Sequence, residues 1–139
     1  MSALVIDSSI ALSFVLPDED DEIAKSAMEI VASRGALAPL HWPLEVANGL
    51  LVAQRRQRMD DASRRKSLHD FAALPIELDV ETNAFAWNDI GDLAERYRLT
   101  AYDAAYLELA MRARLPLATL DNELISAARK ARVAIFGKP

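Results

Sequence analysis

The chain has 139 residues, 52% of them hydrophobic, with four Gly and six Pro; this suits one domain spanning 1–139 with a real core and excludes a disordered chain. It has no Cys, which excludes disulfides, thiolate zinc sites and Cys nucleophiles. With 16 Lys and Arg against 21 Asp and Glu the net charge is −5, which argues against a general nucleic-acid coat but not against a nucleic-acid substrate.

Residues 3–7 (ALVID) read as a buried strand that ends in an acid, and 10–16 as a short apolar helix stopped by Pro17. An acidic start at 18–21 leads into a helix over 22–33, closed by Gly35. Residues 36–40 make a second strand, 42–57 a long helix, and 60–73 another helix capped by Asp60 or Asp61. A third strand over 76–80 precedes a helix over 82–97, and a further helix runs over 101–114. A fourth strand over 117–120, a helix over 122–131 and a last short strand over 133–136 complete the chain. Strands that alternate with helices require crossovers, hence a parallel sheet covered on both faces. No basic stretch precedes a signal-like apolar run and no apolar run reaches membrane length, so a soluble, cytoplasmic protein is expected.

Two stretches are locally basic: Arg55, Arg56, Arg58, Arg64, Arg65 and Lys66, then Arg129, Lys130 and Arg132. Each reads equally as a solvated helix end or as a phosphate-contacting patch.

In an open parallel sheet, ligands bind beyond the carboxyl ends of the strands. Asp7 ends the first strand, Asp121 ends the fourth within ATLDNE, and Glu45 lies in the first turn of the helix after the second strand. Asp103, in LTAYDAAYLELA (99–110), reaches the same edge if its helix is tilted. Taken singly, each acid reads as a helix cap or first-turn acid, and Thr100 with Asp103 has capping-box spacing. Taken together, four carboxylates at one edge would repel one another, a cost that implies a cation or a catalytic use. Oxygen ligands alone point to Mg²⁺ or Mn²⁺ rather than zinc. His41 and His69 lack metal-type spacing with each other, and they read as a loop residue and a solvated helix residue.

With VIDSS at the start, Glu45-x-x-Asn48, LTAYDAAYLELA, and LATLD before the last helix, all in order, the whole chain resembles the PIN-domain ribonucleases, most of all the VapC toxins of VapBC toxin–antitoxin pairs. The resemblance implies a PIN-like three-layer α/β/α sandwich around a parallel sheet of four to five strands. It implies an acidic metal pocket of Asp7, Glu45, Asp103 and Asp121, supported by Ser8, Asn48 and Thr119. Some members carry a further acid after the last motif; here Asn122 follows Asp121, which puts such a role for Glu123 in doubt. The activity implied is Mg²⁺- or Mn²⁺-dependent hydrolysis of single-stranded or loop RNA, leaving 5′-phosphate and 3′-hydroxyl ends. The partners implied are a VapB-type antitoxin, which often sets a basic side chain at the acidic pocket, and a second copy in a homodimer.

The readings from other classes are a receiver-like Mg²⁺-binding signalling domain, a haloacid-dehalogenase-type phosphatase and a catalytically silent PIN module. A receiver needs paired acids after the first strand, where Ser8 and Ser9 follow Asp7, and a Lys near the later strands; the phosphatase needs an acid where Ser9 stands. Two helices, 10–16 and 44–53, are apolar on nearly all sides and imply a second buried surface, with Leu12, Leu50 or Leu51 as the anchor for a partner.

Overall fold

Leu4, Val5 and Ile6 are fully buried, and as an uninterrupted apolar run they form the strand that the rest of the fold is built around. In the computed structural model, which describes residues 1–138, the elements follow in the order β1 (Leu4–Ile6), α1 (Ser8–Val15), α2 (Glu22–Arg34), β2 (Ala36–Pro39), α3 (Trp42–Arg55), α4 (Asp61–Ala72), β3 (Ile76–Asp79), a 3-10 turn (Thr82–Phe85), α5 (Asp89–Tyr97), α6 (Ala101–Ala113), β4 (Leu117–Ala118) and α7 (Asn122–Lys130). The sheet runs β3-β2-β1-β4, all parallel, with Val5 opposite Leu37 on one side and Leu117 on the other. The chain winds outward from β1 in both directions, so its topological switch point lies between β1 and β4. No helix among the described residues is long and apolar enough to cross a membrane.

Helix starts follow the polar residues that precede them. Asp7, Asp21, Asp60, Thr100 and Asp121 each accept an amide from the first turn of the following helix. α2 ends at Gly35, whose φ of 78° suits glycine, and a Cβ there would meet the Pro75 carbonyl at 3.1 Å.

The helices pack as two sets around the sheet: α2, α1, α3 and α4 in one series of contacts, and α5, α6 and α7 in the other, with α6 laid across β1, β2 and β4. Ala104 to Ala110 of α6 are buried without a break, because sheet and helices cover this segment from all sides.

Three expectations need correction. The helix expected over 82–97 is divided: Asn88 takes a non-helical backbone and its side chain accepts the Asp89 amide at 2.8 Å, which starts α5 afresh. The last strand reduces to a single bridge between Ile135 and Leu117, since β4 is only two residues long and offers no further ladder. Helix α3 buries one stripe, Trp42, Val46, Leu50 and Ala53, against its neighbours. Leu50 is therefore fully enclosed within the monomer and cannot anchor a partner, while Leu12 and Leu51 are half-buried and Phe14 and Leu44 stand exposed.

Candidate functional site

Where β1 ends, Asp7 turns the chain into α1, and its Oδ1 accepts the Ile10 amide at 3.3 Å. Only 4% of Asp7 is exposed. The Ser9 hydroxyl donates to Oδ1 at 2.6 Å, and the Thr119 hydroxyl donates to Oδ2. Both hydroxyls are themselves held: Ser9 Oγ accepts the Leu120 amide at 2.9 Å, and Thr119 Oγ1 accepts the Asp121 amide at 3.0 Å. Two side chains thus join the loop after β1 to the loop after β4 across the switch point. Burial pushes the Asp7 carboxyl up to about 6, and the bonds from Ser9, Thr119 and Ile10 oppose that rise without cancelling it.

Asp121 caps α7, accepting the Leu124 amide at 3.0 Å. Asp103 lies half-buried in the first turn of α6, where its amide donates to Thr100 Oγ1 at 3.1 Å. Burial raises the Asp103 carboxyl, and repulsion from Asp121, Glu45 and Glu123 raises it further. Three acids, from α3 and from the start of α7, therefore bear on Asp103 at this edge. Glu45, in the first turn of α3, accepts the Tyr106 hydroxyl at Oε1, and His41 Nε2 lies 3.6 Å from the same oxygen. The His41 ring is fixed by the Tyr102 carbonyl at 3.1 Å and by the edge of Tyr106, with centroids 5.2 Å apart. Burial and the charges of Glu45, Asp7 and Asp103 hold Tyr106 well above the ordinary phenol range, so its hydroxyl keeps its proton for Glu45.

All four expected acids thus lie about this edge, and Asp7 and Asp121 also cap the helices that follow them. Of the expected supporting residues, Thr119 bonds Asp7 directly. Ser8 is half-buried and Asn48 exposed, and neither makes a side-chain hydrogen bond among the described residues. Ser9, Tyr106 and His41 are additions, and Glu123, whose role the sequence left in doubt, bears on Asp103. Tyr106 follows Asp103 by three residues and His41 precedes Glu45 by four, spacings that place each beside an acid on its helix face. His41 is consequently more than a loop residue, whereas His69 is exposed near the end of α4.

The donors fit a hard divalent cation: every one is an oxygen, and no Lys or Arg appears among the groups that shift Asp7 or Asp103. Among the described residues no three Asp, Glu or His side chains are already drawn together as a coordination sphere, so the acids interact across open space.

A family model described as the PIN domain matches residues 4–130. Ribonuclease VapC3 of Pyrobaculum aerophilum is 31% identical over 121 residues, covering 87% of this chain and 91% of the relative. The crystal structure of a Pyrobaculum aerophilum protein superposes with a TM-score of 0.67 at 20% identity, covering 91% of this chain and 84% of that one. Mycobacterium tuberculosis VapC20, described as a sarcin-ricin loop cleaving toxin, superposes with a TM-score of 0.60 at 14% identity, over 90% of this chain and 95% of its own.

Proposed function

The chain belongs to the PIN-domain family, among the VapC ribonucleases, and from that premise we propose that it is an endoribonuclease toxin whose acidic edge works with Mg²⁺ or Mn²⁺. The observation that carries this reading is the repulsion that Asp121, Glu45 and Glu123 exert on the half-buried Asp103, beside the buried Asp7, with no Lys or Arg among the groups that shift either carboxyl. A fold keeps such acids together where a cation is to be met.

Asp7, Glu45, Asp103 and Asp121 are the residues that would hold the ion. Bound there, it would lower the pKa of a water and steady the leaving oxygen of the phosphodiester. The chain's own residues supply the preorganisation. Ser9 and Thr119 fix both oxygens of Asp7, so this carboxylate faces the edge in one orientation. Tyr106 and His41 aim Glu45 toward the same edge, and the capping bonds fix Asp121 and the turn that carries Asp103. No Ser or His nucleophile is required, and His41 acts as a positioning residue for Glu45.

The substrate class is RNA with an unpaired segment. The partners are a second copy of the chain and a VapB-type antitoxin; exposed Phe14 on α1 and Leu44 on α3 supply the apolar contacts. Digestion of total RNA, with mapping of the cut sites, tests the reading. Cleavage by the wild type with Mg²⁺ or Mn²⁺ that is lost in Asp103→Asn supports it, and undiminished cleavage in excess EDTA contradicts it.

A further inference from the structure

The two basic stretches differ in how far they are paired once folded. In the first, Arg58 is paired with Asp18 and Glu19, Arg64 and Arg65 with Asp61, and Lys66 with Asp70, while Arg55 and Arg56 form no ion pair among the described residues. In the second, Arg129, Lys130 and Arg132 form no ion pair among the described residues, and neither does Arg98. Arg98 and Lys130, from the ends of α5 and α7, line one open cleft of about 320 Å³ together with Asn122, Glu123 and Ser126. The cleft reaches the acidic edge at its other end, because Asn122 follows Asp121 and Glu123 is one of the charges that repel Asp103. It is thus acidic where it meets the candidate cation site and basic about two turns of α7 further on, with hydroxyl and amide groups between.

We propose that this α5–α7 cleft carries the RNA strand flanking the cleaved bond, with Arg98 and Lys130 contacting its phosphates and Asn122 and Ser126 its sugar edge. The assignment rests on the ribonuclease reading of the acidic edge. Cations at a helix C-terminus also suit the helix dipole, which accounts for Arg98 at the C-cap of α5 and Lys130 in the last turn of α7 taken singly. It does not account for two helices directing unpaired cations into a single cleft continuous with the acids. A polyanion that must bring one phosphate to a carboxylate cluster needs its neighbouring phosphates neutralised nearby, and this cleft supplies that.

The test is binding of a fluorescein-labelled oligouridine of about a dozen nucleotides, a length suited to a single-strand groove. Anisotropy is followed across a salt series in the Asp103→Asn protein, so that the probe stays intact. Adding Arg98→Gln and Lys130→Gln is expected to lower the slope of log affinity against log salt by about 1.4, and to weaken binding about 20-fold at 0.1 M salt. Arg65→Gln with Lys66→Gln removes the same net charge from α4 and should leave both readings as they were. Equal losses in the two double variants, or no loss in the first, overturn the cleft assignment, as does a first variant that only lowers the melting temperature or only weakens association with a protein partner. The two failures are distinguishable: wild-type cleavage with an unchanged salt slope overturns the cleft alone, and absent cleavage with a reduced slope overturns the ribonuclease reading and with it the placement of a cleaved bond beside the cleft.

Discussion

The Thr119 hydroxyl donates to the buried carboxylate of Asp7 while accepting the amide of Asp121, so one side chain links two of the four acids. The link joins residues 112 positions apart, and it sits where the strand order reverses. Thr119 is itself fully buried.

Thr119→Val keeps the shape and deletes both bonds. The Asp121 amide and one oxygen of Asp7 then lose their partner in a buried setting, at a cost of about 1–3 kcal/mol. Denaturant melts should show that loss, and RNA cleavage should fall about 10- to 100-fold, as expected when a group that orients a metal-binding carboxylate is removed. Thr119→Ser, which restores the hydroxyl, should recover most of both.

Burial raises the Asp7 carboxyl from 3.8 to about 6, so in this range of pH the folded chain holds its proton more tightly than the unfolded chain. Its stabilising contribution is fully present below pH 3.8 and is lost as the pH rises through about 6. The ionised carboxylate therefore destabilises the cation-free fold near neutrality by about 3 kcal/mol. Asp7→Asn removes that cost. In EDTA its stability relative to wild type should be higher at pH 7.5 than at pH 4 by about 2–3 kcal/mol, whatever the amide itself costs. A difference between the proteins that stays constant with pH would show that Asp7 is not held in this way.

Arg112 binds Glu108 through two bonds of 2.8 and 3.0 Å, reaches Asp79 at 2.5 Å, and lies 4.4 Å from the Phe85 ring centroid. Glu108 is only 5% exposed. Arg112→Met leaves this carboxylate buried without a partner and should cost about 3 kcal/mol of stability, of which a second change, Glu108→Gln, returns a part. Arg112 lies nine residues beyond Asp103, about 13 Å along α6. Cleavage per folded molecule should therefore remain at the wild-type level.

Most of the fold was legible because the strands are short apolar runs and five of the helices begin at Asp or Thr caps, signals that are local in sequence. The interval 82–97 misled because its apolar spacing continues through Asn88, while the break depends on that side chain's choice of its neighbour's amide. Leu50 looked available because α3 is apolar on most sides, and only the packing against other elements decides which side is covered. The four acids were readable from their placement after strands and in first turns. The groups that hold them were less so. Ser9 rather than Ser8 reaches Asp7, because the turn into α1 sets which hydroxyl faces back, and the reach of Glu123 to Asp103 depends on how α7 lies against α6.

If the acids at the β1–β4 edge form a single divalent-cation site for RNA cleavage, ion binding and activity must rise together. Titration of Mn²⁺ into the cation-free protein, followed by the rise in melting temperature beside cleavage of one defined RNA, measures both. Mn²⁺ is expected to raise the melting temperature of the wild type and to restore cleavage over the same concentration range. Asp103→Asn is expected to melt at or above the cation-free wild type, to gain little from Mn²⁺ and not to cleave. Cleavage that needs no divalent ion, or an Asp103→Asn protein that still cleaves and responds to Mn²⁺ like the wild type, would contradict such a site.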